Sequence, residues 1–237
     1  MSKQLLNVSL GAGLLLIVPL VTLIFGWQWD PQRTSLTAYP FYLLTQTVTR
    51  PWGIMTSLVL GTLLYSASRS SMQSRAAWAL LIVVVVGGGQ GIKSLLKPYF
   101  AEPRPYVVKL TNELHVAPSV FYQQSKVERQ ALITQSSAFW PLIPGWQRTH
   151  WQHETGYSFP SGHSFFVASW LLLFYGLVSL RRYWPVLIIV TLWAWSVMWS
   201  RMLLGMHWPR DLIASVSIAW VFTLLVLFVY RRLCSRK

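Results

Sequence analysis

Pro160-Ser161-Gly162-His163 runs without a break into the apolar stretch Ser164 to Leu180, SFFVASWLLLFYGLVSL. An uninterrupted apolar run near the roughly 17–25 residues that cross a bilayer reads as a transmembrane helix. Ser161 is placed to cap that helix. Unpaired amides at such an end favour an anion, Gly162 lets it approach closely, and His163 stands beside it. The same residues also fit a plain helix cap with an adjacent histidine.

Working outward, five further apolar stretches appear: Leu5 to Phe25, Pro51 to Ala67, Ala76 to Leu96, Trp184 to Trp199 and Leu212 to Tyr230. The fourth and fifth spans in chain order are short alone and gain length from adjoining polar motifs. The 237 residues are 54% hydrophobic and only 11% charged, against about 25% charged in an ordinary soluble domain. Mean hydropathy is +0.44, and 14 Trp with 10 Tyr suit the lipid–water boundary. The expected fold is an all-α integral membrane protein with six transmembrane helices. The first stretch is too long for a secretory h-region and lacks a small-residue cleavage pattern, so it reads as a retained anchor.

The formal charge of +14 does not signal nucleic acid, because the basic residues lie between apolar spans or at their ends rather than along one soluble face. Lys3, Arg69, Arg75, Arg181, Arg182, Arg231, Arg232, Arg236 and Lys237 fall on one side of a six-span plan. The positive-inside rule then places both termini in the cytoplasm. One domain over 1–237 is expected, with a partly helical periplasmic insert at 98–159 between spans three and four. Ser125 to Ser137 reads as a surface helix ended by Pro141, Pro144 and Gly145, and Trp27 to Arg50 as a smaller outer loop. The single Cys234 excludes an intrachain disulfide and a cysteine metal site.

Two other polar patches sit at span ends on the same outer face as Pro160–His163. The first is Lys97-Pro98-Tyr99-Phe100-Ala101-Glu102-Pro103-Arg104-Pro105. A lone Lys at a span end often only snorkels, but the prolines flanking Arg104 restrict its backbone and aim the guanidinium as an oxyanion clamp. The second is Ser200-Arg201, a tight re-entry at Leu203-Leu204-Gly205, then His207-Trp208-Pro209-Arg210-Asp211. Pro209 disfavours helical geometry at Trp208, so the last helix is expected to start at Pro209. A His207–Asp211 contact would fix the imidazole tautomer and leave the other nitrogen free to attack. The alternative is that Asp211 caps the helix and His207 is an interfacial aromatic.

Taken together, Lys-x6-Arg-Pro, Pro-Ser-Gly-His and Ser-Arg-x5-His-x3-Asp resemble the signature of the type 2 phosphatidic acid phosphatase superfamily, with every signature residue present. The resemblance implies that His207 attacks phosphorus, Asp211 orients it, and His163 protonates the leaving oxygen. It further implies that Lys97, Arg104, Ser161, Gly162 and Arg201 hold the phosphate oxygens. Through the run Trp151-x2-Glu154-Thr155-Gly156 it also sets Glu154 against a headgroup. Phosphoryl transfer chiefly needs positioning and stabilised oxygen charge, which fixed cations supply.

The chain has six acidic residues, too few beside the basic motifs for a carboxylate-held magnesium site. No metal and no cofactor are expected. His150-x2-His153-Glu154 fits neither zinc-protease order and reads as polar loop residues near the mouth. The partners expected are lipid phosphates and membrane lipids, with no obligate protein partner. The resemblance implies a lipid phosphate phosphatase of a bacterial inner membrane, its site facing the periplasm, acting on phosphatidylglycerophosphate and undecaprenyl pyrophosphate. A dedicated undecaprenyl pyrophosphate phosphatase is the nearest rival. An anion transporter or channel would use the same cations but has no need of two histidines and an aspartate. Haloperoxidase relatives are soluble, and this chain is apolar.

Overall fold

In lipid a chain must satisfy its own amides, and an apolar run can do so within a single helix. All six runs are helical in the computed structural model, which describes residues 3–31, 36–68 and 75–234. Among the described residues there are helices and no strands. In chain order they are α1 (Lys3–Ile24), α2 (Tyr39–Gln46), α3 (Trp52–Ser68), α4 (Arg75–Ile82), α5 (Gly88–Phe100), α6 (Pro105–Glu113), α7 (Pro118–Gln123), α8 (Lys126–Phe139), α9 (Gly145–His153), α10 (Gly162–Leu177), α11 (Trp184–Leu203) and α12 (Pro209–Cys234). A π-helical turn, Val83–Gly87, joins α4 to α5. Of the positively charged positions counted above, Arg69, Arg236 and Lys237 lie outside the described residues.

Four helical stretches are long and apolar enough to cross a membrane: Lys3–Ile24, Ala76–Glu113, Trp184–Leu203 and Pro209–Arg232. The runs Trp52–Ser68 and Gly162–Leu177 are shorter apolar helices. The boundaries differ from the sequence reading where polar motifs join the helices. The third run continues through Lys97 to Phe100 and the fifth through Arg201 to Leu203, while the fourth begins at Gly162. The last helix starts at Pro209, as the restricted residue before proline requires.

The short α10 is the centre of the bundle. Every side chain from Ser164 to Tyr175 is buried, and α10 packs against α1, α5, α11 and α12. A helix apolar on all sides belongs inside a protein. Its 16 residues rise only about 24 Å, less than the ~30 Å hydrocarbon core. Its polar start is therefore recessed among its neighbours, and Ser161 is fully buried. Outward faces carry exposed Leu58, Val59, Ile189, Leu225 and Phe228, the pattern of a surface that meets lipid.

A second apolar cluster forms beneath the segment between α5 and α10. Tyr106 stacks on Trp151 with ring centroids 4.8 Å apart, and Phe121, Ile133, Trp140 and Met206 are among the other members of the cluster. Trp151 Nε1 donates to the Leu204 carbonyl at 2.9 Å, tying α9 to the turn after α11. The surface helix expected near Ser125 to Ser137 is α8, with Ser125 and Glu128 forming a reciprocal capping box. The outer segment read as a loop from Trp27 to Arg50 contains a 3-10 turn, Leu36–Ala38, followed by α2. Pro40 at the start of α2 supplies the preset φ of a first helical turn.

Close approach of α5 to α10 depends on Gly89, where an added Cβ would run into the Phe165 ring. Gly89→Ala is expected to destabilise the protein by about 1–3 kcal/mol, read as a lower thermal midpoint in detergent. Gly91→Ala on the same helix, which meets nothing, should leave the midpoint unchanged.

Candidate active site

The turn between α11 and α12 places the expected nucleophile, His207. Gly205 adopts φ of +70°, its N–H bonds to the Met202 carbonyl at 2.9 Å, and Met206 N–H bonds to the Arg201 carbonyl at 2.9 Å. That is a Schellman closure of α11, which needs a left-handed residue. A Cβ there would also press on the Trp29 indole at 2.7 Å. His207 N–H donates to the same Arg201 carbonyl at 3.1 Å, so the closure fixes His207 next to Arg201.

Asp211 lies in the first turn of α12 and has two tasks. Its Oδ2 accepts from the Trp208 amide at 3.0 Å, which caps the helix. The same oxygen accepts from His207 Nδ1 at 3.2 Å. Capping and the imidazole contact, weighed as alternatives from the sequence, coexist. With Nδ1–H committed, Nε2 keeps its lone pair. Burial pushes His207 well below the ordinary histidine range, and Arg104, Arg201 and Lys97 add to this by repulsion. A neutral imidazole is the form that can attack.

At the start of α10, Ser161 Oγ accepts from the Ser164 amide at 3.3 Å and from Ser164 Oγ at 2.9 Å. Its own amide donates to Ser215 Oγ at 2.9 Å. The cap is thus built into the bundle, with Gly162 and His163 one step nearer the surface.

Arg104 is extended at φ −73° and ψ 152°, with Pro105 opening α6 behind it. Its Nε donates to the Gly156 carbonyl at 2.7 Å and its Nη1 to the Met206 carbonyl at 3.2 Å. Arg201 is fully buried. It donates to Thr45 Oγ1 at 2.9 Å, to His150 Nε2 at 3.1 Å and to Glu154 Oε2 at 2.7 Å, while its Nε–H remains a spare buried donor. Lys97 Nζ donates to the Tyr157 carbonyl.

Glu154 stands at the focus of these cations. Besides Arg201, its carboxylate lies 3.4 Å from Arg104 Nη2 and 3.9 Å from His163 Nε2. Burial alone would raise this carboxyl, but Arg201, His163 and Arg104 outweigh it and hold Glu154 well below the usual range. Two buried guanidiniums without an anion would be costly, and the carboxylate offsets one of their two charges.

A cavity of about 820 Å³ joins these groups. Lys97, Arg104, Glu154, Gly162, His163 and His207 border it. Ser161, Arg201 and Asp211 are buried just behind that wall. Two expected features take other forms. His150, read as a loop residue, is buried on α9, and burial takes it down to about 3, with Glu154 opposing and Arg201 and Arg104 adding. A neutral ring accepts the Arg201 proton, so His150 supports the guanidinium. His153 is exposed and bonds to the Thr149 carbonyl at 2.7 Å, sharing no partner with His150. Among the described residues no group of three or more His, Cys, Asp or Glu is placed to hold a metal ion.

Sequence reasoning missed Lys93, Gln90, Thr45 and Thr49. Lys93 and Gln90 border the same cavity, with Lys93 Nζ bonded to Gln90 Oε1 at 2.8 Å. Lys93 precedes Lys97 by one helical turn, a spacing that was available as a signal. His150 precedes Glu154 by the same spacing. The threonines carry no such signal, since hydroxyls in an outer segment are unremarkable until the fold shows what they touch.

A PAP2 superfamily model matches residues 76–233, and the chain belongs to that superfamily. It is 38% identical over 227 residues to phosphatidylglycerophosphatase B of Escherichia coli (strain K12), covering 96% of this chain and 89% of that one. To phosphatidylglycerophosphatase B of Haemophilus influenzae it is 32% identical over 226 residues, covering 93% of each.

Proposed function

We propose that this protein is a membrane lipid phosphate phosphatase. It hydrolyses phosphatidylglycerophosphate to phosphatidylglycerol and undecaprenyl pyrophosphate to undecaprenyl phosphate through a phosphohistidine. The observation that carries the reading is the His207–Asp211 pair at 3.2 Å, beside a cavity bordered by Lys97, Arg104 and His163. Similarity to two phosphatidylglycerophosphatases B supports the first substrate.

In the first step the His207 Nε2 lone pair forms a bond to phosphorus. The ester P–O bond breaks, and its electron pair stays on the leaving oxygen, which takes a proton from the imidazolium of His163. In the second step water attacks phosphorus, gives a proton back to His163, and the P–N electron pair returns to His207. Lys97, Arg104 and Arg201, with the Ser161 hydroxyl and the Gly162 amide, stabilise the phosphate oxygens throughout. Fixed cations take the part that metal ions play in other phosphatases, so the reaction needs no metal and no cofactor. Glu154 exchanges its place among the guanidiniums for the substrate phosphate and meets the headgroup.

In this reading residues 1–237 form one domain of six spans, α1, α3, α4–α5, α10, α11 and α12. Residues 98–159 make a periplasmic insert over the site. Both termini are cytoplasmic in a bacterial inner membrane. The cavity is bordered by Gly53, Ile54 and Ser57 of α3 and by Val86 and Gly87 before α5, which suits acyl chains that stay in the bilayer. Substrates and surrounding lipids are the only partners required.

The test is phosphate release by detergent-purified protein from both lipids with excess chelator present. Release that persists in chelator is expected, and the rate ratio ranks the two lipids. Loss of release in chelator would overturn the metal-free chemistry. No release from either lipid by folded protein would overturn the enzyme reading and turn attention to anion transport.

A further inference from the structure

We propose that Thr49 is a positioning residue for the proton donor His163; this rests on the phosphatase reading above. Thr49 lies in the turn Thr47-Val48-Thr49 between α2 and α3, outside the segment matched by the superfamily model. Its Oγ1 is 3.1 Å from His163 Nε2 and 3.2 Å from the Thr45 carbonyl. A carbonyl only accepts, so the single hydroxyl proton goes to Thr45 and the oxygen lone pairs face His163. Thr49 therefore accepts from Nε2–H. It holds the proton on the ring nitrogen that faces Glu154 and the cavity.

The turn is anchored well enough to position something. Thr47 Oγ1 donates to the Leu44 carbonyl at 2.6 Å and accepts from Trp193 Nε1 at 3.0 Å. Thr56 Oγ1 donates to the Thr47 carbonyl at 2.7 Å, and Gly53 N–H to the Thr49 carbonyl at 2.8 Å. Two residues before Thr47, the buried Thr45 accepts from Arg201. Alternate threonines thus reach an oxyanion-binding arginine, the α11 wall and the acid. A segment with no charged member before Arg50 aligns two parts of the site.

Loss of the Thr49 hydroxyl should slow the step in which the leaving oxygen is protonated. An alkyl leaving group needs that proton, whereas 4-nitrophenolate leaves without it. Thr49→Val is expected to lower kcat on phosphatidylglycerophosphate about tenfold, a fraction of the 10²–10⁴ typical of general acid catalysis. KM and the rate on 4-nitrophenyl phosphate should stay within about twofold. Thr49→Ser keeps the hydroxyl and should restore most of kcat on the lipid. Thr49→Ala gives the same reading if the valine protein does not fold. Equal losses on both esters, a rise in KM alone, or an equal loss in Thr49→Ser would overturn the positioning role while leaving the phosphatase reading intact. Wild-type protein inactive on both esters would overturn that reading and this inference with it.

Discussion

His207→Ala is expected to abolish phosphate release from lipid substrates, by roughly 10⁴-fold or more. Among the described residues no other imidazole or amine at the cavity is placed to replace its Nε2. His163 has Nε2 engaged by Thr49, and His150 is held behind Arg201. Lysine Nζ atoms near the cavity are held by Gln90 and the Tyr157 carbonyl. Acid-quenching is not suitable for trapping, because a phosphoramidate survives base and is lost in acid. With labelled substrate and an alkaline quench, wild-type protein should carry label and His207→Ala none. His163→Ala should still be labelled, more slowly, since it lacks the acid and not the nucleophile. Label retained in His207→Ala would assign the attack to another residue.

The second large effect concerns Arg201. Arg201→Met removes a fully buried cation that donates to Thr45, His150 and Glu154. It leaves Glu154 with only longer contacts, to Arg104 at 3.4 Å, His150 at 3.8 Å and His163 at 3.9 Å. Breaking one side of a buried ion pair costs about 3–5 kcal/mol, so the thermal midpoint should fall sharply and activity with it. Arg201→Lys is expected to recover little, because an ammonium lacks the planar fork that serves three acceptors at once. The double variant Arg201→Met with Glu154→Gln removes the stranded charge and should regain part of the lost stability. If Arg201→Met unfolds no earlier than wild type, the pair contributes nothing net to the fold.

What was legible in the sequence divides along physical lines. Apolar runs of span length determine helices wherever they lie, because the backbone must satisfy itself in lipid; their polar-motif ends moved, and α10 stops at Leu177 short of Leu180. Proline geometry set the start of α12 at Pro209 and the extended Arg104 before Pro105. The Ser161 cap needed only its own following residues. The contact of His207 with Asp211 needed one turn of chain. These are local effects, and local effects are written in spacing.

Other features depend on segments far apart in sequence. Glu154 reached the guanidiniums because Trp151 and Tyr106 pack α9 onto the turn after α11. Thr45 and Thr49 met Arg201 and His163 because α2 lies against α11. The threonine contacts leave no periodicity or motif, and Glu154 is marked only by the run Trp151-x2-Glu154-Thr155-Gly156, which names no guanidinium partner. Reading along the chain yields the helices and the polar residues gathered at their ends. Only the tertiary structure decided which of those residues border the cavity, which stand behind them, and which hydroxyl holds the acid. Backbone hydrogen bonding and capping act over a few residues, whereas burial and packing are settled by the whole bundle.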